Sequence, residues 1–238
     1  WKTNFLPPLL EPLLYLLSFG YGIGMFITDG VQDGFGNKVP YQQFVAAAIL
    51  CITMMQAAFF ETTYNSFVRM WFQKTWEAVT ATPLTLDDVL AGELAWAACK
   101  SSINATLMSL VVACFGLIPW YIIPLVPVVA FVAGLLFAGL GLIVSARVKG
   151  IDGFSFAIYL FITPMMLFSG TFFPLHNLPP VAQGVALALP LTHTVLIVRP
   201  LVEGHLGDIP WTSLVYLAAG ALLTPMLAVR LMKRKLTV

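Results

Sequence analysis

Charged side chains are scarce in this sequence of 238 residues. Lysine and arginine together number 12, aspartate and glutamate number 11, and the four types make up 10% of the chain. A surface that faces water needs roughly a quarter of its residues charged, whereas 59% of this chain is hydrophobic and its mean hydropathy is +0.90. The composition excludes an ordinary water-soluble domain and indicates an integral membrane protein. The formal net charge of +1 argues against a nucleic-acid partner, which requires a basic surface.

Cysteine, histidine and the motifs of common active sites are also sparse or absent. The three cysteines lie in apolar runs without CxxC spacing, and no two of the three histidines are three or four residues apart. A helix-borne metal site needs such spacing, so we expect no metal site and no catalytic centre. The phosphate loop GxxxxGK[ST] does not occur either. We therefore expect no cofactor in this chain, and energy for uphill transport would have to come from a partner or an ion gradient.

Long apolar runs are what the chain does contain, and they predict an all-α fold with six transmembrane helices. A span needs about 20 residues, because each residue rises about 1.5 Å and the hydrocarbon core is about 30 Å thick. Breaks between the runs place the spans at about residues 5–27, 43–68, 89–114, 121–145, 153–173 and 212–232. We expect a single transmembrane domain over residues 1–238, with a loop at 69–88 between the second and third spans.

The distribution of basic residues predicts the orientation. One side of the membrane receives Lys2, Arg69, Lys74, Arg147, Lys149, Arg230, Lys233, Arg234 and Lys235, and the other receives only Lys38 and Arg199. Cytoplasmic loops carry the excess of lysine and arginine. Both termini are therefore predicted to lie in the cytoplasm.

The segment 174–205 is apolar but is not predicted to cross the membrane. Pro179, Pro180, Pro190 and Pro200 divide it into pieces of roughly nine residues, which are too short to span when helical. A seventh crossing would also carry the basic C-terminal segment to the outside. We predict a re-entrant hairpin on the outer face, between spans five and six, with its backbone covered by protein or facing a wet cavity.

Several polar residues are predicted to lie inside the membrane. Glu93, Lys100 and Asn104 follow one another at i, i+7 and i+11, which places them on one face of the third span, and Glu61 and Glu11 lie in the second and first spans. Buried charges need partners or water, and Glu61 with Lys100 is the predicted pair. Two interpretations remain open: a polar lining of a transport route, or an ion pair that locks the second and third spans together.

The loop 69–88 is more elaborate than a connection requires. Residues 76–82 can form a short helix that Pro83 ends, and Asp87 or Asp88 can cap the next helix. A turn between two spans needs only a few residues. About twenty residues with a helix of their own predict a surface that receives a partner.

Three stretches resemble a known family. WEAVTATPLTLDDVLAGE (76–93), PLLYLLSFGYGIG (12–24), and FSGTFFPLHNLPP (168–180) followed by LPLTHTVLIVRPL (189–201) are similar to the ABC-2 type permeases, the membrane subunits of ATP-binding cassette exporters, closest to the nodulation-factor and daunorubicin-resistance permeases. The resemblance covers nearly the whole chain. It also implies an amphipathic cytoplasmic helix before the first span, of which WKTNF (1–5) would be the tail.

The resemblance implies partners and residue roles. Such a permease pairs with a second copy and binds two copies of a separate ATPase, which holds the ATP and Mg, in the bacterial cytoplasmic (inner) membrane. The short helix in the loop 69–88 would be the coupling helix that docks on the ATPase. The residues implied for it are Lys74, Trp76, Glu77, Ala78, Thr80, Thr82 and Pro83, with Trp76 and Glu77 as anchors. Arg147 and Lys149 would add a second cytosolic contact, and Tyr15, Tyr21, Phe168 and Phe172 are candidates for the translocation route.

Two other functions remain as alternatives. An integral-membrane transferase acting on lipid-linked sugars could use the outer histidines and Asp208, but the sequence shows no convergent set of acid, base and metal ligands. An ion-coupled carrier would need ionisable residues spread through the depth of several spans, and the apolar centres of spans four to six carry none. The exporter subunit, carrying a lipid-linked saccharide, polysaccharide or amphipathic drug, is the preferred hypothesis.

Overall fold

The computed structural model describes residues 10, 13–27, 29–33 and 36–236, and within them the chain is almost entirely helical. Of the residues singled out above, Lys2 and Glu11 lie outside the described residues. The helices are α1 (Leu13–Ile23), α2 (Tyr41–Phe72), α3 (Thr75–Thr80), α4 (Leu86–Cys114), α5 (Val126–Arg147), α6 (Gly153–Phe168), α7 (Pro180–Ala188), α8 (Pro190–Glu203) and α9 (Trp211–Leu236). A two-stranded antiparallel hairpin, β1 (Val31–Gln32) and β2 (Lys38–Val39), precedes α2.

Four helices, α2, α4, α5 and α9, are long and apolar enough to cross a membrane. They coincide with the second, third, fourth and sixth predicted spans, each shifted by a few residues. Two shorter apolar helices, α1 and α6, lie within the ranges predicted for spans one and five. The chain is therefore a multi-pass membrane protein.

The α2 helix defines the two ends of the bundle. It starts next to the β-hairpin and ends next to α3, so we call these the hairpin end and the α3 end. The C-terminal part of α9 lies at the α3 end, since Lys235 Nζ donates to the carbonyls of Ser145 (2.8 Å) and Val148 (2.7 Å), where α5 ends. The bundle is thus fastened at the α3 end by the last turns of the chain.

The α5 helix is the centre of the bundle and packs against α2, α4 and α9. Glycines allow two of these contacts. A Cβ at Gly139 would lie 2.4 Å from Thr224 Oγ1 on α9, and one at Gly141 would lie 2.3 Å from Thr62 Oγ1 on α2. No side chain fits such gaps, so α5 approaches both neighbours at backbone distance, as small residues permit in membrane helices.

The α2 helix extends beyond its predicted end at residue 68 and contains two wide turns of the π type, at Glu61–Asn65 and Val68–Phe72. Threonine hydroxyls compete for its backbone carbonyls just before and within the first of these turns: Thr62 bonds to the Ala58 carbonyl (3.2 Å) and Thr63 to the Phe59 carbonyl (2.7 Å). Such local bonds loosen the regular helical ladder. Each wide turn rotates the residues that follow it relative to a regular helix, so the turns decide which way the polar side chains of this segment point.

The segment predicted as a re-entrant hairpin forms two helices, α7 and α8, which meet at 88°. Proline 200 lies inside α8 and does not divide it as the sequence suggested, because it falls in the last turn of the helix. The break comes at Leu189, before Pro190. A bend of this size fits either one broken span or a loop that enters and leaves on the same side of the membrane.

Side chains satisfy the carbonyls that the break leaves open. Helix α7 ends at Ala188, and three of its last carbonyls accept bonds from Thr192 (to Ala186, 2.5 Å), His193 Nε2 (to Leu187, 2.9 Å) and Tyr216 (to Ala188, 2.9 Å). Helix ends leave such carbonyls without intrahelical donors, and they are costly inside a membrane. The bend is therefore stabilised by two side chains from α8 and one from α9.

Candidate functional site

The short helix α3 starts and ends at residues that fit these positions. Lys74, just before it, has a left-handed backbone with φ of 52°, which turns the chain sharply after α2. The Thr80 hydroxyl closes the last turn on the Trp76 carbonyl at 2.9 Å. The helix ends before Pro83, in agreement with the expectation, and the chain turns back into the bundle as α4.

Thr85, and not Asp87 or Asp88, is the N-cap of α4. Its hydroxyl accepts from the Asp88 backbone N–H (3.4 Å), and the Asp88 carboxylate accepts from the Thr85 backbone N–H (2.8 Å). This is the reciprocal capping box, in which the threonine is the cap and the acid lies three residues later. The sequence prediction named an aspartate as the cap because threonine and aspartate both favour the N-cap position of a helix. Asp87 instead pairs with Lys233 of α9 at 2.6 Å.

Most residues implied for the coupling helix lie on an exposed ridge. Exposed are Lys74, Glu77, Ala78, Thr80, Thr82 and Pro83. Lys74 and Glu77 lie 3.6 Å apart across one turn, and more than two thirds of each side chain is exposed. We call these six residues the α3 ridge. Arg147 and Lys149 are exposed at the same end of the bundle.

Trp76 points the other way. Its side chain is only 5% exposed, and the indole Nε1 donates to Glu93 Oε1 at 3.1 Å. It therefore cannot act as a surface anchor in this conformation, as the resemblance had implied. The structure instead makes it the side chain that fixes α3 to the helix bundle.

Glu93 of α4 receives four hydrogen bonds from two other elements, α2 and α3. Besides Trp76 of α3, Arg69 of α2 binds it through Nε (2.8 Å, to Oε1) and Nη2 (2.5 Å, to Oε2), and the Ser66 hydroxyl donates at 2.6 Å. The two bonds from the planar guanidinium form a bidentate pair, which fixes orientation as well as distance. Glu93 thus joins α2, α3 and α4 at one point.

Glu61 is the second buried acid and is 2% exposed. Lys100 Nζ lies 2.6 Å from its Oε2, so the predicted pair is present. Arg69 Nη1 lies 2.8 Å from Oε1, and Trp96 and Asn65 donate to the same carboxylate at 3.0 and 2.6 Å. Arg69 therefore bridges the two glutamates.

The four charged residues Glu61, Arg69, Glu93 and Lys100 form what we call the charge cluster. Two carboxylates and two cations sum to zero, and both carboxylates are fully supplied with donors, which is what makes buried charges tolerable. Removing one member would leave its partner buried and unpaired, at a cost of about 3 to 5 kcal/mol.

Asn104 belongs to the same face of α4 but not to the cluster. It is fully buried, and neither its amide nitrogen nor its oxygen has a hydrogen-bond partner among the residues that the structure describes. Of the predicted intramembrane polar residues, the structure thus joins Glu61, Glu93 and Lys100, and leaves Asn104 apart.

The aromatic residues proposed for the translocation route divide into two places. The ring centres of Tyr15 in α1 and Phe172 after α6 lie 6.4 Å apart. Phe19, also in α1, lies 4.8 Å from Phe172. Tyr21 instead faces Phe115 of the segment after α4, at 6.1 Å. Phe168, at the end of α6, is 43% exposed.

Sequence reasoning did not foresee the roles of Arg69, Ser66 and Trp96. The sequence predicts Arg69 at the start of the cytoplasmic loop 69–88, where it serves only as an orientation signal. Its bridging position follows a wide turn of α2 at Glu61–Asn65 that the sequence does not reveal. One signal was available: Arg69 and Glu93 flank α3 on the two helices it connects, which is where opposite charges would meet.

Comparison with known proteins gives the family. Residues 1–201 match the family of the ABC-2 type transporter. The chain is 40% identical over 210 residues to nodulation protein J of Rhizobium leguminosarum bv. viciae, covering 86% of this chain and 78% of the relative. It is 39% identical over 216 residues to nodulation protein J of Rhizobium meliloti (strain 1021), with coverage of 87% and 80%. The inner membrane transport permease YadH of Escherichia coli (strain K12) is 27% identical over 215 residues, with coverage of 88% and 79%.

No solved structure matches this chain. The sequence matches cover most of the fold described above, including the short helix between the first two long helices and the polar face beneath it. The chain therefore belongs to the ABC-2 type transporter family and is a membrane permease.

Proposed function

We propose that the chain is the membrane subunit of an ATP-binding cassette exporter, pairs with a second copy, and is driven by two copies of a separate ATPase bound at the α3 end. The single observation that supports this most directly is the two-sidedness of α3. Its ridge faces solvent, while Trp76 connects it to the charge cluster inside the bundle. A helix built this way can receive a push from outside and pass it to the long helices.

We infer six crossings with both termini in the cytoplasm of a bacterial inner-membrane protein. The four long helices account for four, and we propose that the shorter apolar helices α1 and α6 are the first and fifth. Basic residues support the orientation: among the described residues the α3 end carries eight, listed as Arg69, Lys74, Arg147, Lys149, Arg230, Lys233, Arg234 and Lys235, against Lys38 and Arg199 toward the other end. The α7–α8 pair would then be a re-entrant hairpin on the outer face, because a further crossing would reverse α9.

The mechanism we propose begins with a shift of α3 when the ATPase closes. Trp76 would transmit the shift to Glu93, because its indole N–H is hydrogen-bonded to Glu93 and its ring is buried, so the two side chains would move together. Glu93 is bound to Arg69, and Arg69 to Glu61, so α2 and α4 would move as a unit. The cluster in this proposal is a rigid joint and not a conduit for the substrate, in line with the second of the two interpretations of these charges.

A lipid-linked saccharide, a polysaccharide or an amphipathic drug is the proposed cargo. The aromatic pair Tyr15 and Phe172 joins α1 to the segment between α6 and α7, and Tyr41 donates to the Phe172 carbonyl at 3.4 Å. We propose that α1 and α6 face the second copy and line the route with it. Rings of this kind can stack on sugars or pack against acyl chains.

The coupling proposal is tested by reversing one charge on the α3 ridge. We expect Glu77→Arg to leave the permease folded in the membrane, because the side chain is exposed, and to weaken co-purification of the ATPase and export by at least about tenfold through charge mismatch at the interface. The measurements are pull-down of the partner ATPase and ATP turnover in proteoliposomes.

A matched control is Asp29→Arg, the same reversal at an exposed acid near the hairpin end. It should leave ATPase binding unchanged. Trp76→Phe keeps the ring buried but removes the bond to Glu93, so we expect normal ATPase binding with reduced export per ATP hydrolysed. Normal export by both Glu77→Arg and Trp76→Phe would rule out α3 as the coupling element.

A further inference from the structure

Two acidic side chains meet where α8 ends against the β-hairpin. Asp33 follows β1 and is 3% exposed, and Glu203 is the last residue of α8. Both carboxyl oxygens of Glu203 are buried and have no hydrogen-bond donor among the residues that the structure describes. Burial raises the pKa of Glu203 to about 8, and the neighbouring Asp33 carboxyl raises it as well, both as a hydrogen-bond partner and as a like charge. Two carboxyl groups can bond to each other only if one of them carries a proton.

The surroundings indicate which carboxyl holds the proton. Asp33 accepts from the Asn37 backbone N–H at 2.9 Å and from the Asn37 side-chain amide at 3.1 Å. Bonds of this kind favour the charged form of a carboxyl group. Glu203 receives no such bonds in the described residues, and its burial favours the neutral form. The proton therefore resides on Glu203 and is donated to Asp33.

The other charged and titratable groups facing this pair come from three elements. Arg199 lies one turn earlier on α8, Asp208 lies in the loop after α8, and Cys51 of α2 faces Arg199. Arg199 is 2% exposed, donates Nη2 to the Gly170 carbonyl at 2.9 Å, and lies 3.7 Å from the ring centre of Phe44. With one proton in the pair, Asp33 and Arg199 carry one negative and one positive charge, which sum to zero.

We propose that Asp33 and Glu203 form a proton-binding latch that fastens the β-hairpin to α8 at the hairpin end of the bundle. The ligand of this site is a single proton. While the proton is bound, one hydrogen bond joins the two elements. When it leaves, two buried carboxylates face each other, with Arg199 as the neighbouring cation and Asp208 as a further acid, and the hairpin separates from α8.

Closure of the latch is expected to depend on pH. The stabilising bond is present when Glu203 is protonated and is lost as pH rises. Buried carboxyl groups can hold a proton up to about pH 8 to 9. The latch is therefore closed at neutral pH and opens in mild alkali. Closure is a property of the permease alone and does not depend on the proposed ATPase or substrate.

Hydrogen–deuterium exchange of the purified permease in detergent, measured between about pH 6.5 and 9.5, provides the test. After correction for the intrinsic pH dependence of exchange, we expect amides of 31–39 to exchange about tenfold faster for each pH unit above the transition, while amides within α4 do not change. Glu203→Gln replaces the proton with a permanent N–H donor, so this acceleration should disappear. Asp152→Asn, at an exposed acid between α5 and α6, should show the same acceleration as the wild type.

If Glu203→Gln does not fold, Asp33→Asn can be measured instead. This variant supplies the hydrogen-bond donor from position 33 and should also abolish the acceleration of amide exchange at alkaline pH. If either folded variant accelerates with pH as the wild type does, the carboxyls are both charged and bridged by solvent, and the latch is excluded. A wild type that shows no acceleration over this range excludes it equally.

Discussion

At the scale of single residues, Arg69 is the member of the charge cluster on which the others depend. It binds Glu93 with two nitrogens and Glu61 with the third, a geometry that lysine cannot reproduce. Glu61 and Lys100 form the other edge of the cluster at 2.6 Å. Each acid thus has two cationic or aromatic donors on separate helices, and the loss of one donor leaves an unbalanced buried charge.

A double-mutant cycle at this edge measures the coupling. We expect Lys100→Met to destabilise the permease by about 3 kcal/mol, because Glu61 keeps its charge but loses one cation. Adding Glu61→Gln should restore about half of this loss, since the amide is neutral and still accepts from Arg69 and Trp96. The measurement is thermal unfolding in detergent of Lys100→Met, Glu61→Gln and the double variant. Lys149→Met is an exposed control whose stability should differ little from that of the wild type. Strictly additive losses would show that the two side chains do not interact.

The residue scale also shows what could and could not be foreseen. Spacing along α4 placed Glu93 and Lys100 on one face, and the Glu61–Lys100 pair followed from depth and charge alone. The bridge through Arg69 did not, because one wide turn precedes Arg69 and a second contains it, and such turns leave no clear trace in the sequence. The anchor role of Trp76 came from the family resemblance alone, and a helix of six residues does not reveal from its sequence which face packs against the bundle.

At the scale of secondary structure elements, the break between α7 and α8 shows how proline can divide an apolar segment without leaving polar backbone exposed to lipid. Three side chains take the place of the missing helical donors at Ala186, Leu187 and Ala188. The His193 ring also stacks on Tyr216 at 3.9 Å between ring centres and meets the Ser213 hydroxyl at 3.0 Å. Helix α9 is thereby joined to the corner of the bend.

Removal of one of these caps has a defined cost. We expect Tyr216→Phe to lower the free energy of unfolding by about 1 kcal/mol, or more if the Ala188 carbonyl stays dry, because the ring stack is kept and only the hydrogen bond is lost. Chemical or thermal unfolding in detergent measures it. Tyr159→Phe is a suitable control, since Tyr159 of α6 is 75% exposed. Equal stabilities for both variants would mean that another donor already satisfies the carbonyl.

The ends of the long helices were easier to predict from the sequence than the breaks in the proline-rich segment 174–205. The long helices were predicted within a few residues, because an apolar run of about 20 residues has few alternatives. The proline rule correctly placed a break near residue 190 but also predicted one at Pro200, which lies in the final turn of α8. Pro200 removes one backbone N–H donor, and only three helical residues follow it, so α8 continues to its end at Glu203.

At the scale of the whole molecule, the two ends of the bundle carry different chemistry. The α3 end has the ridge, most of the basic residues, and the bonds from Lys233 and Lys235 that fasten α9 to α4 and α5. The hairpin end has the β-hairpin, the end of α8 and the buried carboxyl pair. Six crossings with both termini on the cytoplasmic side are what this asymmetry leads us to expect.

Cysteine labelling can decide the orientation. In a variant lacking Cys51, Cys99 and Cys114, we expect Lys149→Cys to react with a membrane-impermeant maleimide only after the cells are opened. Lys38→Cys should react in intact cells. The reason is the charge asymmetry, which directs basic loops inward. Labelling of Lys149→Cys in intact cells would invert the proposed topology and place the α3 ridge out of reach of an ATPase.

The fastening of the bend by α9 has a consequence for how the protein is made. The carbonyl of Ala188 and the ring of His193 are synthesised well before their partners Tyr216 and Ser213, which lie in the last helix of the chain. Until that helix has left the ribosome and entered the membrane, the corner between α7 and α8 lacks these two bonds. The same helix supplies the lysine that covers the end of α5. A chain stopped before α9 would therefore lack all of these bonds, and we expect its earlier helices to be less stably packed.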